Sequence, residues 1–172
     1  MSTTLETMHI DAEAASTDGD HASLRLWLRL LSCTATIERH VRERLRVRFD
    51  TTLPRFDMMA QLNREPRGLK MSELSRRLMV TGGNVTGLTD QLVAEGLVVR
   101  RGIPGDRRAY NVRLTPKGKR QFDAMAVEHE QWIIDLMDGI PAGERDALYE
   151  SLGHLKSAML AQLAATALPA RA

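Results

Sequence analysis

Apolar residues recur along the chain at two distinct periods, and the change from one to the other marks its organisation. Over residues 21–48, Leu24, Trp27, Leu28, Leu31, Ile37, Val41 and Leu45 return at three- and four-residue steps with no Pro or Gly, which predicts one long helix. The Asp50-Thr51-Thr52-Leu53-Pro54 break ends it, and Pro54 suits the first turn of a second helix carrying Phe56, Met59 and Leu62. After Pro66 and Gly68, residues 72–79 place Leu74 and Leu78 on one face. Thr81 then stands as an N-cap before a helix over 82–95 with Val85, Leu88 and Leu92 inward. Two short helices joined by so tight a turn make a helix-turn-helix. Gly96 occupies the position just past the helix end, and the period drops to two: Leu97 and Val99 alternate with Val98 and Arg100, then Tyr110, Val112 and Leu114 with Asn111 and Arg113. These are two strands of a hairpin. Thr115-Pro116 opens a fifth helix striped by Phe122, Met125, Ala126, His129, Trp132, Ile133 and Leu136. Gly139 and Pro141 end it, and a sixth helix repeats Leu148, Leu152, Leu155, Met159 and Leu163. The expected fold is mainly α with six helices and a small β-hairpin, a winged helix-turn-helix set within a longer helical body.

Composition agrees, since aromatics are only 4% and β-branched residues never cluster for long. The 172 residues suffice for one ordinary core. No run reaches membrane-spanning length and the first residues lack a signal-peptide order, so a cytoplasmic protein without a membrane partner is expected. Cys33 is the only cysteine, which excludes an internal disulfide. The five histidines show no metal-ligand spacing, and neither a cofactor fingerprint nor a catalytic motif is present; no metal, no cofactor and no enzymatic activity are expected.

Charge changes the picture more. Residues 1–20 carry five acids (Glu6, Asp11, Glu13, Asp18, Asp20) and no Lys or Arg, so the net +2 of the chain becomes +7 over residues 21–172. The acidic stretch has no periodic apolar face and reads as a disordered tail. The remainder is a basic body suited to an anionic partner. At the hairpin tip, Gly102-Ile103-Pro104-Gly105-Asp106-Arg107-Arg108-Ala109-Tyr110 sets two arginines side by side. Exposed charge pairs contribute only about 0–1 kcal/mol to stability, so they answer better to a narrow, electronegative minor groove. Asp106, two residues before Arg108, is suited to holding its guanidinium in one geometry.

On the second helix of the pair, Thr81, Gly82, Gly83, Asn84, Thr86 and Asp90 lie off the apolar face and are candidates for DNA contact. The glycines suit close approach of backbone N–H groups to phosphate, and Asn84 suits a base edge. Arg76 and Arg77 are candidate phosphate contacts, and Arg100, with Asp106, Arg107 and Arg108, belongs to the wing set. The plain alternatives are a frayed helix start and a solvated turn.

The run Thr81-Gly82-Gly83-Asn84-Val85-Thr86, then Leu92 to Gly96-Leu97-Val98, Asp106-Arg107-Arg108, Val112 and Leu114-Thr115-Pro116-Lys117-Gly118 resembles the winged-helix block of MarR-type bacterial regulators, with likeness over about 22–163. The resemblance implies a two-fold homodimer that binds double-stranded DNA at a palindromic operator. It also implies a small-molecule pocket between the dimer body and the winged helix. On this reading residues 51–115 form the DNA-binding domain, and 21–50 with 116–165 the dimerisation region. More narrowly, LPRFDMMAQL and MSELSRRLMVTGGNVTGLTDQL resemble the subgroup that represses hydroxycinnamate or other aromatic-acid catabolism and is released by an aromatic acid or its CoA thioester.

Candidate effector residues follow. Arg39, His40 and Arg42, with Arg55, could hold the anionic part of an acyl-CoA, though Glu38/Arg42 and Arg39/Glu43 also read as pairs on a solvated helix face. Trp27, Met58, Met125, His129 and Trp132 could line an aromatic pocket, or could be plain core. Two other readings remain open: a redox-sensing repressor acting through Cys33, and a winged helix used only for protein contact.

Overall fold

The computed structural model describes residues 21–79, 81–103 and 106–166, with the backbone alone at 103 and 106–109. The acidic stretch 1–20, Val80, the tip residues Pro104 and Gly105, and residues 167–172 lie outside the described residues. The elements run α1 (Ala22–Phe49), α2 (Leu53–Asn63), β1 (Leu69–Lys70), α3 (Met71–Leu78), α4 (Gly82–Ala94), β2 (Val98–Ile103), β3 (Asp106–Leu114), α5 (Pro116–Met137) and α6 (Ala142–Thr166). The chain divides into two compact units, residues 1–133 and 134–172.

The first unit holds the core. Val41 and Leu45 of α1, Phe56, Met58, Met59 and Leu62 of α2, Leu74 of α3, and Val85 and Leu92 of α4 are buried together with Val98, Val112, Phe122, Met125 and Trp132. Only the C-terminal half of α1 joins this cluster. Its earlier apolar residues Leu24 and Trp27 are exposed, Trp27 by 56%, although their spacing matches that of the buried half. The four-residue steps Ile37, Val41, Leu45 and Phe49 therefore face this chain's own core, while Leu24 and Trp27 face outward.

Local chemistry terminates the helices as their residues require. Asp50 adopts a left-handed conformation (φ 47°) at the end of α1, tolerable for a residue whose short carboxylate stabilises it locally. At the end of α4 the Gly96 N–H donates to the Val93 carbonyl and the Leu97 N–H to the Leu92 carbonyl, both at 2.9 Å, with Gly96 at φ 70°. This is a Schellman cap. It turns Leu97 into the core before the strand begins, which corrects the expected alternation: the inward residues of β2 are Val98 and Arg100, not Leu97 and Val99.

The hairpin gains a strand that the sequence did not announce. β1, two residues long, pairs antiparallel with β3 through Leu69↔Val112 and Lys70↔Asn111, giving the sheet order β1-β3-β2. Two residues are too few to show a period. Between β2 and β3 the register sets Val98 against Leu114 and Arg100 against Val112 on one face, and Val99 against Arg113 and Arg101 against Asn111 on the other.

Thr115 and Gly118 fasten α5 to the sheet. Thr115 accepts from the Gly118 N–H at 3.0 Å, and its hydroxyl donates to the Gly96 carbonyl at 2.7 Å. Lys117 donates to the Glu95 carbonyl at 2.8 Å. A Cβ at Gly118 would lie 1.9 Å from the Leu97 carbonyl oxygen, so the helix can approach this closely only on a glycine.

In the second unit α6 is exposed at every residue but the half-buried Leu155, including Leu148, Tyr149, Leu152, Met159, Leu160 and Leu163. No described helix is long and apolar enough to cross a membrane.

Candidate nucleic-acid interface

The start of α4 is built by Thr81, whose backbone is extended and whose hydroxyl accepts from the Asn84 N–H at 3.5 Å. Val85, Thr89 and Leu92 anchor the helix in the core, Thr89 turning its hydroxyl back to the Val85 carbonyl at 2.7 Å. That anchoring leaves Gly82, Gly83, Asn84, Thr86, Gly87 and Asp90 exposed on one surface. A Cβ added at Gly82, Gly83 or Gly87 would meet nothing within 4 Å. No internal contact requires glycine there, although each costs up to about 1 kcal/mol in a helix against alanine. What the glycines provide is an unobstructed backbone surface on the exposed side of the helix.

Arg76 and Arg77 sit on α3 just before this surface. Arg76 grips Glu73 through both Nε (3.0 Å) and Nη2 (2.6 Å), and Arg77 reaches Glu73 at 2.7 Å and Glu65 at 3.1 Å. The hydrogen bonds from Arg76 and then Arg77 hold the Glu73 carboxyl down to about 2. The two cations are thus pre-oriented by one acid, with Arg76 left exposed.

Two residues singled out separately in the sequence prove to be partners. Arg100, pointing inward from β2, donates to Asp90 on α4 at 2.7 Å, and its guanidinium lies 5.6 Å from the centre of the Tyr110 ring on β3. The pair links recognition helix to hairpin. Arg107, Arg108 and Asp106 lie on β3, but their side chains, and with them the expected carboxylate brace, fall outside the described residues.

The effector candidates are dispersed. Met58, Met125 and Trp132 are core residues, whereas Trp27 is exposed. His129 lies with its ring 4.9 Å from Phe56 and 6.4 Å from Trp132, and burial lowers its pKa. Arg42 donates to Glu38 at 2.7 Å, one of the two pairs expected four residues apart; Arg39 is exposed and His40 half-buried on the same helix. Arg55, largely shielded, is bonded to Glu95. Cys33 is exposed and free. Among the described residues no group of three or more His, Cys, Asp or Glu could hold a metal ion.

Sequence reasoning missed Asp57. It is half-buried on α2, and its pKa is raised first by burial and then by Glu38, with Arg42 acting in the opposite sense. The available signal was an acid inside the run Phe56-Asp57-Met58-Met59, whose other three members are buried. Sequence reasoning also gave Gly118 no role, and its close approach to the Leu97 carbonyl is visible only in the structure.

A helix-turn-helix with one short strand before it and a two-stranded hairpin after it, its second helix exposed along one surface, has the architecture of a winged-helix DNA-binding domain. The MarR family model matches residues 49–109. The transcriptional repressor YetL of Bacillus subtilis (strain 168) is 29% identical over 137 residues, 79% of this chain and 81% of the relative. The regulator PecS of Dickeya dadantii (strain 3937) is 29% identical over 103 residues, 59% of this chain and 62% of that one. The crystal structure of a MarR family transcriptional regulator from Silicibacter pomeroyi superposes with a TM-score of 0.71 at 28% identity, covering 84% of this chain and 99% of that one. The chain is thus similar, in its winged-helix segment and in its fold, to MarR-family transcriptional regulators. These relatives are transcriptional regulators, not enzymes.

Proposed function

We propose that the protein is a homodimeric repressor that reads a palindromic operator through α4 and the wing, and that an aromatic acid or its CoA thioester releases it. The observation that carries the DNA half is the exposed start of α4, where Gly82 and Gly83 leave the backbone open and Asn84 and Thr86 project beside them. Arg76 and Arg77 take phosphates, and Asp106, Arg107 and Arg108 form the wing contact. Asp90 and Arg100 serve mainly to hold wing and helix in one geometry.

Two copies follow from the DNA itself, because paired recognition helices must meet successive major grooves about 34 Å apart. In support, α6 leaves Leu148, Leu152, Met159 and Leu163 uncovered in the single chain. Residues 51–115 are the DNA-binding domain, and 21–50 with 116–165 the dimerisation region. For the effector, the support is the resemblance of the α2 segment to the aromatic-acid subgroup and the cationic run of α1. To move the protein from mostly bound to mostly released, the ligand must prefer the released state by about 5 kcal/mol.

The test is an operator-shift titration on the duplex upstream of its own gene, with excess non-specific competitor. Retained binding that Asn84→Ala weakens is the expected result, and binding that the competitor abolishes would overturn the DNA half. Adding 4-hydroxycinnamate or its CoA thioester should release the wild type. An Arg39→Gln, Arg42→Gln variant should keep operator affinity and lose the response; failure of both compounds to release the wild type at saturation sinks the effector half.

A further inference from the structure

The face of the wing sheet that does not pack on the core borders a cleft of its own. Val98 and Val112 are buried on the inner face, where Arg100 also reaches α4, so Val99, Arg101, Asn111 and Arg113 lie on the opposite face. At its edge a cleft of about 640 Å³ runs between the sheet, the end of α2 and the start of α5, lined by apolar Val99 from the outer face, Leu62 and Leu114 from the core side, and the cations Arg101, Arg113 and Lys119. Lys119 is neutralised by Asp123, four residues on. Arg101 and Arg113 stand on diagonal register positions of adjacent strands, within reach of one ligand, and among the described residues neither has an acidic partner.

Elsewhere in this unit several arginines are matched by acids, Arg55 by Glu95, Arg76 and Arg77 by Glu73, and Arg100 by Asp90. Two unmatched guanidiniums over an apolar floor, in a cleft of small-molecule size, are the complement of an anion that carries an apolar body. We infer that this cleft binds a small organic carboxylate, the head held by Arg101 and Arg113 and the body lying against Leu62, Val99 and Leu114. A duplex is the poorer fit, because phosphate needs neither concavity nor an apolar floor. None of the effector candidates on α1, α2 or α5 lines the cleft, so the site is separate from the pocket proposed above. The cleft includes Leu114, Thr115 and Pro116, which join the wing strand β3 to α5, so an occupant bears directly on the hairpin.

The test uses the full chain, with 2-naphthoate as probe and 2-naphthamide as its uncharged counterpart, measured by calorimetry. Binding of 2-naphthoate should weaken roughly tenfold or more in the Arg101→Gln, Arg113→Gln variant. In a second variant that keeps both arginines but fills the cleft, Val99→Trp, it should weaken likewise, and 2-naphthamide should bind the wild type at least as poorly as 2-naphthoate binds the first variant. An unchanged affinity in either variant, or equal binding of the amide, would overturn the assignment. So would the absence of naphthoate binding together with weakened operator binding in the first variant, which would place both arginines on DNA. Operator affinity of the wild type, measured separately, reports on the proposed repressor function whichever way the cleft behaves. Retained helical circular dichroism confirms that each variant is folded.

Discussion

Arg100, on the first wing strand, donates to Asp90 on the recognition helix at 2.7 Å, ten residues away in the chain and across the helix-to-strand turn. The arginine side chain is 26% exposed and the aspartate 59%, so their attraction is screened and contributes no more than about 1 kcal/mol to stability. The value of the pair is geometric. Removing either residue, as Asp90→Ala or Arg100→Ala, should lower operator affinity several-fold with little change in melting temperature, and the double variant should lose no more than the worse single one. A double-mutant cycle on operator affinity checks this; fully additive losses would mean that the two side chains contact DNA independently.

Gly82 and Gly83 pose an opposed pair of effects. Since a methyl group at either position meets nothing in the chain, Gly82→Ala and Gly83→Ala should each stabilise the fold by up to about 1 kcal/mol. The same methyls should weaken operator binding by obstructing the backbone. Denaturant melts and operator titrations on the same samples separate the two, and tighter binding in the stabilised variants would end the close-approach argument.

Gly118 should behave in the contrary way. Its Cβ would meet backbone, the Leu97 carbonyl, which no rotamer change relieves, and Gly118→Ala should therefore cost about 2 kcal/mol or more. Urea unfolding measures it. A neutral result would show that α5 can shift away from the sheet without loss.

Glu73 offers a pH test. Its folded pKa of about 2 lies below the usual 4.5, so whatever it contributes is present above that ordinary value and is lost as pH falls toward 2. An NMR titration of the Glu73 carboxyl should have its midpoint near 2, and Glu73→Gln should flatten the acid limb of the stability curve between those values. In the same variant Arg76 and Arg77 lose their common anchor, and operator binding should become more sensitive to salt. A carboxyl that titrates at its ordinary value would show that the clamp does not form in solution.

Much of the fold was legible because it is encoded within a turn or two of the chain. Thr81 and Thr115 as caps, Pro54 and Pro116 in first turns and Gly96 past the end of α4 all act within about five residues along the chain, and the helices begin and end close to where those residues place them. The same local rules could not see β1, whose two residues acquire strand geometry only by pairing with β3 more than forty positions later.

Periodicity by itself determined that α1 has an apolar stripe, and could not say what covers it. Trp27 and Trp132 follow the same three- and four-residue pattern, yet one is exposed and the other buried against Phe49. Only the tertiary structure decided which arginines are matched, since Arg55 finds Glu95 forty residues on and Arg100 finds Asp90 back across a turn, while Arg101, next to Arg100, points to the other face of the sheet. The reason is physical: capping and amphipathic spacing depend on dihedral angles and neighbours along the chain. The pairing of charges depends on which distant surfaces the buried core brings together.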